Sequence, residues 1–264
     1  MKVQDVIQYL EEIAPLALQE SYDNAGLQCG DPTWNVTAVL ACLDSTEVVV
    51  DEAIMKGCNL IVAHHPIIFG GLKSITGHHY VERALIKAIK NDIAIYAIHT
   101  NLDNVLYHGV NERIAQQLTL QDVEILSPKM EGANDTSIGS GVMGMLSDDM
   151  ATSDFLDYLK EKMALPIVRH TKIIKESVRK IGLCGGSGRF LLETAMHQGC
   201  DVFISADFKY HEFFEANDQI LVADIGHFES ERFTIDLLQS LIQGKFSKFA
   251  AYCANATTNP INYI

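Results

Sequence analysis

The sequence lacks the features that mark membrane, secreted or disulfide-bonded proteins. No apolar run approaches the about 18 residues that a membrane-spanning helix needs, so we expect no membrane partner. The first residues, MKVQDVIQYLEEIAP, are typical of an amphipathic helix and not of a signal peptide. The six cysteines include no C-x-x-C pair, which predicts reduced, buried thiols. These absences together predict a cytoplasmic protein.

Basic residues are also scarce. The chain has 20 Lys and Arg against 34 Asp and Glu, a formal net charge of −14. Because phosphate backbones attract basic surfaces, nucleic acid is not an expected partner. The excess of acids fits a protein that gathers carboxylates around cations, although most of these side chains must lie on the solvated surface. The 264 residues, 48% of them hydrophobic, suffice for one large or two ordinary domains.

The stretch LIVAHHPIIF, residues 60–69, has an informative pattern. Its continuous apolar run predicts a buried strand of a parallel sheet, and Pro66 predicts where the hydrogen-bonded ladder ends. His64 and His65 would then lie at the carboxyl end of the strand, where open α/β sheets bind ligands. Neighbouring strand residues point to opposite faces. The pair could therefore serve one metal, serve one each of two metals, or consist of a core and a surface histidine.

The elements before this strand predict an α/β fold. Residues 36–44 are expected to form a strand, and residues 48–55 a helix that Gly57 ends. Strand 60–63 completes a βαβ unit, which should cross over right-handed. The same alternation continues beyond it, with a helix expected over 80–90.

A further buried strand is predicted over 93–98, and it delivers His99 and Asp103 into a loop. A helix is expected over 111–117. A second strand end thus carries a histidine and a carboxylate, which are both potential metal ligands.

Residues 178–205 can be aligned with residues 36–63 without a gap. Six positions are identical, and many others pair an apolar residue with an apolar residue. The shared order of strand, helix, Gly-Cys and strand predicts two similar α/β halves. The alternative is that two βαβ units resemble each other because the unit is common. The next predicted strand, 219–223, again leads to a histidine and an acid four residues apart, His227 and Glu231.

These strand ends provide histidine nitrogens and carboxylate oxygens, which suit Zn²⁺, Mn²⁺, Fe²⁺, Co²⁺ or Ni²⁺. The candidate ligands are His64, His65, Asp103, His227 and Glu231. Five ligands exceed the three that usually hold one catalytic zinc, so two divalent ions roughly 3.5–4 Å apart are expected. Asp103 or Glu231 could bridge them.

Two further features have more than one interpretation. Asp207 and His211 follow the second-half strand, and Asp207 takes the place that His65 has in the first half. They could orient metal ligands, act as general base and acid, or form ordinary surface hydrogen bonds. The glycine-rich stretch GGSGR, residues 185–189, could bind phosphate at a strand-to-helix turn or form a bare tight turn.

Five motifs in order along nearly the whole chain resemble the NIF3-like family, also called DUF34, whose members are often labelled GTP cyclohydrolase 1 type 2 homologues. The motifs are DNAGLQCG, LIVAHHPIIF, IHTNLD, DFKYHE and IGHFESER. The resemblance, which is to the shorter family form, implies two similar α/β domains with a di-metal site in the cleft between them. It also implies a ring-shaped homohexamer.

The resemblance carries the family's ligand positions onto the same five candidate residues and implies that His99 and His211 line the site. The chain departs from the family at one place, since Ser205-Ala206-Asp207 stands where members usually have Thr-Gly-Asp. An alanine there has less backbone freedom than glycine. This substitution is expected to affect the geometry around the metal ligands and to leave the ligands themselves unchanged.

The expected domain division assigns residues 1–125, completed by 232–264, to the first α/β domain and 126–231 to the second. Residues 122–149 are expected to contain the crossover, followed by a strand at GSGVMGML. The predicted function is divalent-metal binding with metal-dependent hydrolysis of a nucleotide, phosphoester or cyclic amide. Catalytic candidates are His99, Asp207 and His211. The alternative is a metal-storage or metal-delivery protein, or a regulatory scaffold, without catalysis.

Overall fold

A computed structural model describes residues 1–129 and 137–264. The strands are β1 Gly26–Cys29, β2 Val39–Cys42, β3 Leu60–Ala63, β4 Ala94–Ala97, β5 Gln121–Pro128, β6 Gly139–Ala151, β7 Arg169–His170, β8 Ser177–Ser187, β9 Val202–Ala206, β10 Leu221–Asp224 and β11 Ala251–Cys253. The helices are α1 Val3–Ile13, α2 Glu47–Lys56, α3 Tyr80–Lys90, α4 Thr100–Asp103, α5 Val110–Gln117, α6 Thr152–Lys162, α7 Leu192–His197, α8 His227–Glu231 and α9 Thr234–Lys245. Short 3₁₀ turns occupy Leu16–Leu18, Arg189–Leu191 and Tyr210–Ala216.

The described residues group into two units, each with its own sheet. The first unit comprises Met1–Leu102 with Thr234–Asn262, and the second comprises Asp103–Phe233 with Tyr263–Ile264. Residues 103–125 therefore group with the second unit, where α5 packs against β6 and β8. The predicted domain division stays a prediction, and part of the predicted crossover, 130–136, lies outside the described residues.

The sheet of the first unit has the order β1-β4-β3-β2-β11 within the described part of the chain. Strands β4, β3, β2 and β11 are parallel, and β1 pairs antiparallel with β4 at the edge. Every residue of β2, β3 and β4 is buried, because α2, α3 and α9 pack on this sheet. This confirms the prediction that the apolar runs are central strands of a parallel sheet.

The sheet of the second unit has the order β5-β6-β8-β9-β10-β7 among the described residues. Its parallel centre is β8, β9 and β10, and the flanking strands pair antiparallel. The helices α5, α6 and α8 pack against β8. The fold is thus a mixed α/β fold with two sheets.

Strand register supports the alignment of the two halves. Val39 pairs with Leu60 in the first sheet, and Ile181 pairs with Val202 in the second. These are equivalent positions in the ungapped alignment, so the sequence similarity corresponds to one shared strand–helix–strand arrangement.

Most predicted element ends are close to the observed ones. Helix α2 ends at Gly57, whose φ of 67° is the left-handed conformation expected of a glycine at a helix end. Strand β7 consists of only two residues, Arg169 and His170. No helix in the described ranges is long and apolar enough to cross a membrane. All six cysteines are free, and four of them are buried.

Candidate metal site

His64 is buried at the end of β3 with its ring orientation set by the neighbouring strand. Its backbone N–H donates to the carbonyl of Cys42 at 3.0 Å, which continues the contact of β3 with β2 beyond Ala63. Its side-chain Nδ1 lies 2.9 Å from the carbonyl oxygen of Ile98, at the end of β4. A carbonyl only accepts hydrogen bonds, so Nδ1 carries the proton and Nε2 carries the lone pair that can bind a metal.

His65 is held in the same manner by a carboxylate. Its Nδ1 lies 2.8 Å from Oδ1 of Asp44, which follows β2. Burial by itself would raise the pKa of Asp44, but the hydrogen bond and charge of His65 outweigh burial and lower it. The ionised carboxylate accepts the Nδ1 proton, so the lone pair of His65 also lies on Nε2.

His99 follows β4 and is held by Asp23. The Nδ1 of His99 lies 2.7 Å from Oδ1 of Asp23, and the backbone N–H of Thr100 donates to the other carboxylate oxygen at 3.0 Å. Burial would raise the pKa of Asp23, but the side-chain hydrogen bonds of His99 and Thr100 and the charge of His99 lower it to about 2. Asp23 is therefore ionised at neutral pH and orients His99.

These three histidines form one cluster in the first unit. Ring centroids of His64 and His65 lie 4.9 Å apart, and His99 lies 5.3 Å from each. One ring nitrogen from each lies within 4.8 Å of the other two. Nitrogens around one zinc are at most about 4.2 Å apart, because Zn–N bonds are about 2.0–2.1 Å. A small movement of the side chains would therefore suffice to bind an ion.

His227 and Glu231 lie one turn apart on α8 in the second unit. The Nε2 of His227 is 3.1 Å from Oε2 of Glu231, and the Nδ1 of His227 is 2.7 Å from Oδ2 of Asp207. Burial would lower the pKa of His227, but the hydrogen bonds and charges of both carboxylates outweigh it and raise the pKa to about 11. In the metal-free protein His227 is therefore a cation between two acids.

The two His-and-acid pairs differ in geometry although their spacing is the same. The N–H of Ile98 donates to the carbonyl of Ala63 in β3, and the N–H of Ile225 donates to the carbonyl of Ser205 in β9. Ala63 and Ser205 are equivalent positions in the ungapped alignment. The residue after Ile98, His99, therefore corresponds to the residue after Ile225, Gly226. His227 stands at the place of Thr100, as the first residue of its helix. Gly226 has a φ of 87°, which lets the chain turn directly into α8.

Ala206, where the family usually has glycine, causes no strain. It is the last residue of β9, is buried and has no positive φ. The left-handed residue is the next one, Asp207, with a φ of 61°, a conformation that Asp tolerates better than most residues. Asp207 still reaches His227, so the departure from the family pattern leaves this contact in place.

The glycine-rich stretch 185–189 packs against α8. The N–H of Gly186 donates to the hydroxyl of Ser230 at 2.9 Å, and Gly186 has a φ of 59°. A Cβ there would lie 2.3 Å from Oε1 of Glu231 and 3.3 Å from Cε1 of His227. The absence of a side chain at Gly186 therefore makes room for the carboxylate and the imidazole.

Asp103, at the end of α4, belongs to the same network. Asn111 donates from its side-chain nitrogen to the carbonyl of Asp103 at 3.0 Å and accepts from the N–H of Gly185 at 2.8 Å. Burial raises the pKa of the Cys184 thiol, and the charges of Asp103 and Glu231 raise it further. Both carboxylates thus act on one buried thiol, so the second unit gathers two acids and His227 in one region.

His211 lies on the exposed 3₁₀ turn that follows Asp207. Its ring packs against Tyr210 and Phe214, with centroid distances of 5.1 and 6.3 Å. The structure thus leaves His211 on the surface, and its expected place in the site stays a prediction.

The carboxylates that orient the histidines are the residues that sequence reasoning missed. Asp23 lies in the DNAGLQCG motif and Asp44 directly follows a predicted strand. A carboxylate at a strand end was the available signal for Asp44. The donor set itself, imidazole nitrogens with fixed tautomers and buried carboxylates, fits first-row divalent metals.

Comparison with known proteins agrees with this description. The family profile described as Duf34/NIF3 (NGG1p interacting factor 3) matches residues 1–260. A Clostridium acetobutylicum protein named GTP cyclohydrolase 1 type 2 homolog is 33% identical over 249 residues, covering 94% of this chain and 92% of that protein. A protein of the same name from Clostridium perfringens is 34% identical over 232 residues, covering 88% and 87%.

Solved structures show the same fold. A Bacillus cereus protein related to NIF3 superimposes with a TM-score of 0.93 at 25% identity, covering 100% of this chain and 99% of that one. A hypothetical protein from Staphylococcus aureus has a TM-score of 0.92 at 32% identity with the same coverage. The resemblance inferred from the five motifs is thereby confirmed. The chain belongs to the Duf34/NIF3 family.

Proposed function

We propose that this protein binds two divalent metal ions and uses them to hydrolyse a small substrate. The observation that carries the proposal is the cluster of His64, His65 and His99. Each Nδ1 is engaged by a carbonyl or carboxylate, and one nitrogen of each ring lies within 4.8 Å of the others. Three buried or half-buried imidazoles facing one another need a cation or a proton to stabilise them.

The proposed ligands are those carried over from the family pattern, namely His64, His65, Asp103, His227 and Glu231. The first unit offers ring-nitrogen donors, because the carbonyl of Ile98 and the carboxylates of Asp44 and Asp23 engage the three Nδ1 atoms and direct Nε2 toward a metal. The second unit offers carboxylates, which can bridge two ions and balance their charge. These nitrogen and carboxylate donors together support a dinuclear centre. The metal would be Zn²⁺, Fe²⁺, Mn²⁺, Co²⁺ or Ni²⁺.

Hydrolysis is the chemistry that such a centre favours. A bound divalent ion would lower the pKa of water and stabilise negative charge that develops on the substrate. Asp207 would orient His227, because its carboxylate already accepts the Nδ1 proton at 2.7 Å. His99 can bind an ion or take a proton through Nε2. His211, four residues beyond Asp207, is the proposed proton carrier. The substrate would be a nucleotide, a phosphoester or a cyclic amide.

Metal analysis followed by a substrate screen tests the proposal. The protein is stripped with a chelator, reconstituted with each of the five metals in turn, and its metal content is measured by elemental analysis. The reconstituted protein is then assayed on nucleotides, phosphoesters and cyclic amides. We expect two ions per chain and hydrolysis of one substrate class that the stripped protein does not catalyse. Two bound ions without turnover of any class would favour metal storage or a scaffold instead.

We further propose a homohexamer in the cytoplasm, as the family resemblance implies. Several large apolar side chains are exposed on the single chain, which supports burial in an assembly. They include Met55 at 79%, Tyr210 at 72% and Phe214 at 66% exposed.

A further inference from the structure

The segment after β11 contacts the carboxylate that orients His65. The hydroxyl of Thr258 donates to Oδ2 of Asp44 at 2.6 Å. The other oxygen of the same carboxylate, Oδ1, lies 2.8 Å from Nδ1 of His65. One carboxylate thus links a threonine near the C-terminus to a candidate metal ligand, and all three residues belong to the first unit.

A buried acid holds this segment in place. Glu52 of α2 is 6% exposed and accepts the backbone N–H groups of Asn255, at 2.8 and 3.0 Å, and of Ala256, at 3.0 Å. Lys56, one turn further along α2, forms an ion pair with Glu52 at 2.6 Å. The N–H of Ala254 also donates to the carbonyl of Ala41 at 2.8 Å. The backbone before Thr258 is therefore bound at successive residues, which positions its hydroxyl.

We propose that Thr258 is a positioning residue for metal binding, acting through Asp44 on His65. The inference rests on the proposed function, because it concerns the affinity of the same ligands. The Asp44 side chain is 38% exposed, so without a second partner its carboxylate could rotate toward water. The Thr258 hydroxyl holds one oxygen and leaves the other aligned with Nδ1 of His65. Nε2 is then kept in a fixed direction for the metal.

The next residue back provides a matched control. Thr257 is exposed, whereas Thr258 is half-buried, and the two side chains are chemically identical. Thr258→Val removes the hydroxyl and keeps the shape of the side chain. Thr257→Val makes the same change at a side chain for which no contact with Asp44 is described. Thr258→Ser restores the hydroxyl at the critical position.

The Zn²⁺ dissociation constant of the full chain is measured by competition with a chromophoric chelator at pH 7.5. We expect Thr258→Val to weaken binding about 10-fold, the lower end of the range for groups that orient metal ligands. Thr257→Val should bind as wild type does, and Thr258→Ser should recover most of the affinity. In an Asp44→Ala background, Thr258→Val should have no further effect, because the group through which it acts is gone.

Two results would overturn the inference in distinguishable ways. Equal Zn²⁺ affinity of wild type and Thr258→Val would refute the role of Thr258 and leave the proposed metal site standing. The same would follow if Thr258→Val weakened binding equally with and without Asp44, since its effect would then be general. Failure of the wild-type chain itself to bind Zn²⁺ or any of the other four proposed metals would refute both the inference and the proposed function. Thermal unfolding of each metal-free variant checks that the fold is retained.

Discussion

Gly186 and Glu231 lie so close that a Cβ at Gly186 would be 2.3 Å from the carboxylate oxygen Oε1. This close approach connects a glycine near the end of β8 to a candidate ligand on α8. The glycine-rich stretch 185–189 therefore has a role that neither the phosphate-binding nor the bare-turn interpretation included. It gives space to a buried carboxylate.

Gly186→Ala should displace Glu231 and reduce the metal content of the reconstituted protein. The substitution also places alanine in the left-handed region, which costs about 1–2 kcal/mol. Gly199→Ala is the control, because Gly199 has a similar φ of 70° but nothing within 4 Å of an added Cβ. We expect both variants to lose stability in chemical unfolding and only Gly186→Ala to lose metal. Equal metal content in the two would show that the contact does not matter for binding.

Much of the fold is predictable because it follows from local patterns. The apolar run of β3 and the glycine after α2 are visible in the sequence, and both have the expected structure. The ungapped alignment of residues 36–63 with 178–205 predicts the strand register that the two sheets share. These features depend on neighbours within one element or on one repeated unit.

The environment of the candidate site is less predictable because its contacts are distant along the chain. Asp44 lies 21 residues before His65, and Asp23 lies 76 residues before His99. Only the sheet order brings these strand ends together. The one-residue offset at Gly226 is likewise hidden, because a histidine and an acid have the same four-residue spacing in both halves. Sequence spacing predicts ligand types but not which ring occupies which position.

Metal binding should release a proton from His227. Its pKa is raised to about 11 in the metal-free protein, against about 6.5 in an unfolded chain, so at pH 9 the folded protein holds this proton. An ion binds through the lone pair of Nε2, so it must displace the proton from that nitrogen. Calorimetric titration with Zn²⁺ in buffers of different ionisation enthalpy measures the release. Asp207→Asn removes one of the two carboxylate charges that raise the pKa of His227. This variant should therefore release fewer protons when it binds Zn²⁺.

The raised pKa of His227 also affects the stability of the fold in the absence of metal. A group whose pKa is raised by folding stabilises the fold fully below its unfolded pKa of about 6.5, and this contribution is lost as the pH rises through about 11.

Proton release that is unchanged by Asp207→Asn would contradict the assignment of the proton to His227.

His211→Ala should keep its metal and lose hydrolytic activity on whatever substrate the screen identifies. Removing one general acid or base typically costs about 10²–10⁴ in rate, and His211 is not a proposed ligand. His197→Ala, at an exposed histidine of the same unit, is the control and should remain active. Turnover by His211→Ala at the wild-type rate would remove His211 from the mechanism.

The chain should assemble into a hexamer. Light scattering at micromolar concentration is expected to give six times the chain mass of 29.2 kDa. Tyr210→Ser and Phe214→Ser reduce the exposed apolar surface near His211 and would report whether that surface lies in an interface. A single species at 29.2 kDa in the wild-type protein would refute the hexamer.

We propose that histidines and acids near the strand ends bind two divalent ions. Elemental analysis of reconstituted wild-type protein beside Glu231→Ala measures whether they do. We predict two ions per chain in the wild type and no more than one in the variant, because Glu231 is 3% exposed and its carboxylate lies 3.1 Å from Nε2 of His227. No bound metal in the wild type, or equal metal content in the two proteins, would contradict the proposed dinuclear site.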